Sequence, residues 1–130
     1  MDNQNNKFII PHRLPSLNDY INACRSNRYS GAELKLETDV AVCLAIKNAV
    51  RTGTLRPPKP PVRLAFTWHE STKRRDADNV ASAKKYILDA MQATSIIPND
   101  SRKYVVGFSD EIVDDTRDYV EVEIFEVARA

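Results

Sequence analysis

Four prolines stand close together in the segment RPPKPPV, residues 56–62 of the 130-residue chain. Proline fixes φ and has no N–H to donate, so this segment can form neither a helix interior nor a central strand. We expect a stiff, extended connector between helix-forming and strand-forming sequence. A proline-rich ligand for another protein is the alternative. Because a chain of this length most simply forms one domain over residues 1–130, we favour an internal spacer.

The residues before the prolines predict one short strand followed by two helices. Residues 7–10 have the pattern of a strand that a proline ends. Ser16 and Asp19 have the spacing of a capping box, which predicts that a helix begins there. Gly31 separates this helix from a longer one, roughly residues 32–52. Apolar residues at helical spacing on the longer helix predict a buried stripe, formed by Leu36, Val40, Cys43, Leu44 and Val50 and widened by Val42 and Ile46.

Strand and helix patterns alternate after the prolines. Every second residue of the segment 62–68 is apolar, which is typical of a half-buried strand. A helix over residues 80–94 is followed by strands over residues 103–109 and 119–127, joined by DEIVDDTRD as an acidic hairpin connection. The order β-α-α-β-α-β-β predicts an α+β fold with a mixed sheet of about four strands.

Charge is distributed unevenly along the chain, although the net charge is only +1. Residues 1–103 carry 17 Lys or Arg and 10 Asp or Glu, a net of +7. Residues 104–130 carry 2 and 8, a net of −6. This asymmetry indicates either a polyanionic partner that meets part of the surface, or simply an unevenly charged surface in water.

The cysteines and the hydropathy pattern predict a cytoplasmic protein. Cys24 and Cys43 lack the C-x-x-C spacing, and we interpret them as free, buried thiols in a reducing compartment. The segment MDNQNNK lacks the apolar stretch of a signal peptide. The longest strongly apolar run, residues 40–46, is too short to cross a membrane.

The stretch KRRDADN places Asp76 and Asp78 directly behind three cations, in the loop between a predicted strand and a predicted helix. Loops at strand ends commonly present functional groups. On a helical wheel, Asp78 falls on the face that carries Lys85, whereas Lys84 falls close to the apolar stripe. That stripe consists of Val80, Ala83, Ile87 and Met91, and the polar face also carries Ser82 and Asp89.

Both lysines have ordinary interpretations beside any functional one. Lys85 can form a surface ion pair with Asp89 four residues later. Lys84 can cover the core with its aliphatic stem while its charge stays in water.

Three interpretations of the two acids can be compared. Asp78 could cap the following helix, which would leave Asp76 unexplained. An EF-hand calcium loop is excluded because the residues at its fifth, sixth and twelfth positions are apolar here. A hard-metal site for Mg²⁺ needs a further ligand, and Asp100 in IIPNDSRKY is the candidate, although P-N-D-S is also ordinary turn chemistry.

The segments RRDADNVASAKKYILDAM and IPNDSRKYVVGFSDE together resemble the core of the RusA family of Holliday junction resolvases, especially its phage-borne members. The resemblance is firm over residues 73–111 and weaker at PSLNDYINACRSNRYSGAELK and RLAFTW. It implies a small, dimeric, Mg²⁺-dependent enzyme that cuts four-way DNA junctions symmetrically.

The resemblance also implies roles for individual residues. The catalytic, metal-binding carboxylates of the family match Asp76, Asp78 and Asp100, and its essential lysine best matches Lys85. The helix is longer here than in the best-known form of the family, so Lys84 is the alternative.

A metal-dependent endodeoxyribonuclease is therefore the function expected from the sequence. Mg²⁺, or Mn²⁺ in its place, would activate water, and Lys85 would contact the scissile phosphate. A C2 homodimer would supply one site for each of the two strands to be cut. A nuclease for flaps or forks and a non-catalytic binder of branched DNA are the alternatives. Flanking phosphates would be bound by Lys73, Arg74, Arg75, Lys84, Arg25 and Lys35, with Arg28 extending this surface. For Arg25, Arg28 and Lys35 the alternative is an ordinary solvated helix end. His12 and His69 are expected to be structural, although His69 lies close enough in sequence to support the metal ligands.

Overall fold

The structure is a computed structural model that describes residues 6–27, 29–73 and 75–128. The predicted α+β class and element order are confirmed, with the last predicted helix divided into two pieces. The described elements are β1 (Asn6–Ile10), α1 (Leu17–Ser26), α2 (Ser30–Thr52), β2 (Val62–Glu70), α3 (Ala77–Ala81), α4 (Lys84–Ala93), β3 (Val105–Asp114) and β4 (Tyr119–Glu126).

The strands form one mixed sheet in the order β1-β4-β2-β3. β4 pairs antiparallel with both β1 and β2, and β2 pairs parallel with β3. The register places Phe8, Val122 and Phe66 side by side across three strands. All three side chains are buried, so alternation along each strand builds one apolar face. The inward-facing positions predicted for β2 are confirmed, and β4 alternates in the same way.

The helices contribute the other half of a single core. Ile46 of α2, Ile87 and Met91 of α4 and Val80 of α3 are fully buried in the same cluster as the apolar strand residues. The predicted capping box starts α1: the Asp19 backbone N–H donates to the Ser16 side chain, and the Ser16 N–H donates to the Asp19 carboxylate. No helix in the described residues is long and apolar enough to cross a membrane.

The stripe predicted to be buried on α2 is wrong for most of its members. Leu36, Val40, Leu44 and Val50 are exposed, and Cys43 is half-buried. The helix carries apolar residues on two opposite sides, and the side that meets the sheet and α4 is a different one. It is formed by Thr38, Val42, Ile46 and Ala49.

Cys24 is also an exposed residue, contrary to the prediction that both cysteines are buried. α1 packs against α2 but buries none of its residues fully. There the Cys24 sulfur lies so close to the Cα of Gly31 that a side chain at position 31 would collide with it.

The acidic segment between the last two strands is not a hairpin connection. Residues 110–114 belong to β3, which lies beside β2 and is separated from β4 by it. The remaining connection passes the end of β2, where the Asp115 N–H donates to the Glu70 carbonyl and the Asp118 carboxylate accepts from the Ser71 N–H. A sequence pattern specifies strands but not their neighbours, which explains the error.

The helix predicted over residues 80–94 is interrupted at Ser82 and Ala83. The Ser82 hydroxyl donates to the Asn79 carbonyl at 2.6 Å and accepts the N–H of Leu17, the first residue of α1, at 2.9 Å. Serine side chains that bond to nearby backbone carbonyls compete with helical hydrogen bonds. The interruption therefore ties the start of α1 to the junction of α3 and α4.

Candidate functional site

Asp76 and Asp78 lie at the start of α3, immediately after the loop that follows β2. Asp76 occupies the N-cap position, but its side chain makes no capping hydrogen bond. Asp78, in the first turn, accepts the N–H of Asn79 at 3.0 Å. Both residues are exposed, and the Asp76 carboxylate accepts no hydrogen bond from the described residues, although the Asp76 carbonyl accepts the Val80 N–H. The capping interpretation therefore does not account for either carboxylate.

Arg75 anchors this loop to the body of the protein. Its Nε lies 3.2 Å from a Glu70 carboxylate oxygen, and its Nη1 donates to the Leu14 carbonyl at 3.1 Å. The Arg75 and Glu70 side chains are only 13% and 6% exposed. Nε and the nearer Glu70 oxygen are misaligned for a hydrogen bond, so the contact between these two atoms is an ion pair without a hydrogen bond. The expected role of Arg75 as a phosphate-binding cation is not supported by this geometry, because its guanidinium is already occupied.

Lys85 connects the first turn of α4 with the turn that leads into β3. Its Nζ donates to Asp89 at 2.8 Å, as the four-residue spacing predicts, and lies 3.6 Å from an Asp100 oxygen. The hydrogen bond that Lys85 donates to Asp89, aided by the negative charge of Asp100, raises the pKa of Lys85. The ammonium group therefore stays charged at neutral pH. At 69% exposure its side chain also remains accessible from solvent.

Lys84 is directed to a different place, between α4 and β3. Its Nζ donates to Asp110 at 2.7 Å and lies 4.8 Å from the centre of the Phe108 ring. Asp110 also accepts the Trp68 indole N–H at 2.9 Å. The stem of Lys84 thus covers the edge of the core, as its position on the helical wheel predicts. The structure places Lys85, and not Lys84, beside Asp100.

Asp110 was not identified from the sequence as part of any cluster. It sits on the inner side of β3, where it pairs in register with Phe66. The predicted strand ended at residue 109, so Asp110 fell in the predicted acidic connection, and its place beside Phe66 depends on the parallel pairing of β2 and β3.

The other predicted phosphate-binding cations differ in exposure and in the ion pairs that they already form. Lys73 is 84% exposed and lies 3.7 Å from Asp114. Lys35 forms an ion pair with Asp39, and Arg25 is exposed in the last turn of α1. Arg28 and Arg74 lie outside the described residues.

His69 is held between two carboxylates on the outer side of the sheet. Its Nδ1 lies 2.9 Å from Asp115 and its Nε2 lies 2.7 Å from Glu121. The ring stacks on Tyr119 with 3.8 Å between ring centres. These contacts support the structural role expected for His69, while His12 is exposed.

The carboxylates suit a hard cation chemically but do not form a complete cage. Among the described residues, no three His, Cys, Asp or Glu side chains are arranged to hold a metal ion. Mg²⁺ commonly binds through one or two carboxylates together with water and substrate phosphates. The exposed carboxylates of Asp76 and Asp78 fit that mode, because one lacks a partner among the described residues and the other accepts a single N–H.

Comparison with known proteins adds no relative to these observations. No family model matches the chain, and no curated protein matches it. The resemblance to the RusA family therefore depends on sequence motifs, chiefly those of residues 73–111.

Proposed function

We propose that this protein is a Mg²⁺-dependent endodeoxyribonuclease of the RusA kind that resolves four-way DNA junctions. The observation that supports it best is the 3.6 Å contact between Lys85 and Asp100. This contact joins the two segments that carry the resemblance, because Lys85 belongs to the first, which ends at Met91, and Asp100 belongs to the second, which begins at Ile97. A cation is thereby held near the surface, where it can offset the charge that develops on a phosphodiester during hydrolysis.

Each residue of the proposed site has a distinct task. Asp76 and Asp78 would hold Mg²⁺, or Mn²⁺ in its place, together with water and substrate phosphates, and Asp100 would be the third carboxylate that the resemblance implies. Bound Mg²⁺ supplies an activated water and offsets charge on the scissile phosphate. Lys85 offsets the same charge from the protein side, since its ammonium group is both protonated and exposed. Asp89 and Asp100 hold that ammonium group in position before substrate arrives.

The DNA backbone on either side of the cut is bound by exposed cations. Lys73 is the best placed of these, because it follows β2 in the same loop as Asp76 and is almost fully exposed. Such contacts to phosphates give an affinity that falls with salt concentration. Two copies of the chain would present two symmetry-related sites, one for each strand. We place this activity in the cytoplasm, where the thiol of Cys24, an exposed residue, would stay reduced.

The decisive experiment compares cleavage of four-way, flap and linear DNA in Mg²⁺ and in Mn²⁺. We expect the parent protein to cut the four-way junction in preference to the other substrates. Asp76→Asn and Asp100→Asn should abolish cleavage while junction binding remains. Glu111→Gln is the matched control, because Glu111 is an exposed acid on β3.

The other outcomes contradict the proposal in different ways. Cleavage by both Asp variants at the parent rate contradicts the catalytic assignment. If flaps are cut in preference to four-way junctions, the natural substrate is another branched DNA. Binding to junctions without nicking in either metal identifies a non-catalytic binder.

A further inference from the structure

The side of α2 that points away from the core carries an apolar row. Leu36, Val40 and Leu44 follow one another at four-residue intervals and are 64%, 57% and 64% exposed. At about 100° per residue, this row lies on the opposite side of the helix from the residues that it buries. A single exposed leucine needs no explanation, whereas a contiguous apolar patch commonly marks an interaction site.

Acidic and basic residues lie at opposite ends of the same side. Glu33 and Glu37 lie towards the start of α2, Lys47 and Arg51 lie towards its end, and all four are exposed. Among the described residues, none of the four forms an ion pair within the chain. This charge order suits the helix dipole. The dipole does not explain the apolar row between the two pairs.

The charge order makes this side of α2 complementary to itself when two helices run antiparallel. Glu37 and Lys47 lie at equal distances from the midpoint between Val40 and Leu44, as do Glu33 and Arg51. A twofold axis through that midpoint therefore places each acid opposite a base. A parallel pairing of two helices would place like charges together. A polyanionic partner along this side of α2 would be repelled by Glu33 and Glu37. Complementary charges at a rim typically fix the register of an apolar contact.

We propose that two copies of this chain associate through the outer face of α2, defined as Glu33, Leu36, Glu37, Val40, Leu44, Lys47 and Arg51, with the two helices antiparallel. Val40 of one copy then packs against Leu44 of the other, and the contact is isologous, as a C2 dimer requires. The apolar surface continues past Leu44 into a groove of about 510 Å³ between α2 and β1. That groove, lined in part by Ile9 and Pro11, extends the contact beyond one helix.

This inference deepens the proposed function, because paired cutting rests on two copies, but association is measured without DNA. The first test is sedimentation of the parent protein and of Val40→Glu. We expect a dimer for the parent and a monomer for Val40→Glu, with unchanged circular dichroism because the side chain faces solvent. Val106→Glu, an exposed apolar position on β3, is the control and should remain dimeric.

The second test uses charge reversal to establish the antiparallel pairing. Glu33→Lys with Glu37→Lys places bases opposite bases, and Lys47→Glu with Arg51→Glu places acids opposite acids. Each double variant should be monomeric. A one-to-one mixture should form a heterodimer, because every acid then meets a base again. If each double variant is monomeric alone and the two remain monomeric when mixed, the antiparallel arrangement is wrong.

The failures of the two proposals are distinguishable. A parent that stays monomeric, or a Val40→Glu variant that dimerises as the parent does, overturns this interface whatever the DNA assays show. Cleavage by such a monomer leaves the nuclease assignment intact. A dimer that Val40→Glu disrupts, combined with no cleavage by the parent, supports the interface and contradicts the nuclease.

Discussion

Lys85 Nζ lies 3.6 Å from a carboxylate oxygen of Asp100, so one lysine joins the start of α4 to the turn before β3. The neighbouring Lys84 faces the other way and pairs with Asp110. Two adjacent lysines thus belong to different parts of the molecule. One is exposed beside Asp100, one of the proposed metal-binding carboxylates, and the other closes the edge of the core. The two residues can therefore be separated by experiment.

Lys85→Met should reduce junction cleavage about 100-fold, because it removes a cation that offsets charge in the transition state. The free energy of unfolding should change by less than about 1 kcal/mol, since the ion pairs of Lys85 are mostly exposed. Cleavage rates and urea unfolding measure the two effects. Lys59→Met, in the exposed connector, is the control. Full activity in Lys85→Met together with loss of activity in Lys84→Met would assign the essential role to Lys84.

Lys84→Met should lower the free energy of unfolding by about 1–2 kcal/mol, between the values for exposed and buried ion pairs. Methionine retains the apolar contacts of the stem but leaves the Asp110 carboxylate without its cation. A double-mutant cycle with Asp110→Asn should give a coupling energy of about 1 kcal/mol in urea unfolding. Additive effects of the two substitutions would show that the 2.7 Å contact contributes no stability.

The strands were predictable because alternation places one set of side chains on the buried face. This holds for β2 and β4, whose inward residues are all buried. The burial of α2 was not predictable, since this helix is apolar on two sides and the sequence does not specify which side meets the sheet. The position of β3 was missed because parallel pairing with β2 is a long-range choice.

Local contacts of the candidate site were predictable, and long-range ones were not. The Lys85–Asp89 pair follows from four-residue spacing on a helix. The contact between Lys84 and Asp110 depends on how β3 lies beside β2, which local sequence does not determine. Arg75 was interpreted as a cation for DNA because it follows two other cations. Its guanidinium is instead paired with Glu70 and Leu14, a fact that only the fold reveals.

Arg75→Ala should destabilise the protein by about 3 kcal/mol, because it leaves the Glu70 carboxylate buried without a cation. We choose the lower end of the range for buried pairs since the closest atoms are misaligned for a hydrogen bond. Urea unfolding measures the loss, and adding Glu70→Gln should restore part of it. An unfolding free energy equal to that of the parent would show that the loop before Asp76 is held by other contacts.

Lys73→Gln should leave stability unchanged and weaken junction binding in low salt. The slope of log affinity against log salt concentration should decrease by roughly 1, as expected for the loss of one phosphate contact. Binding titrations of a catalytically inactive Asp76→Asn protein, with and without the substitution, measure this slope. Lys59→Gln provides the matched comparison. Equal slopes would remove Lys73 from the DNA-binding surface.

The connection that passes the end of β2 should make stability fall in acid. The Thr116 N–H, with His69, lowers the pKa of Asp115, and the Ser71 N–H lowers the pKa of Asp118. A carboxyl group whose pKa is lower in the folded state stabilises that state above its unfolded pKa, about 4 for Asp. This stability is lost as the pH falls through the folded-state pKa. Urea midpoints measured from neutral pH downwards should therefore decrease below about pH 4.

The decrease should be smaller in the double variant Asp115→Asn with Asp118→Asn than in the parent. An equally steep acid decrease in both proteins would show that other carboxylates control it.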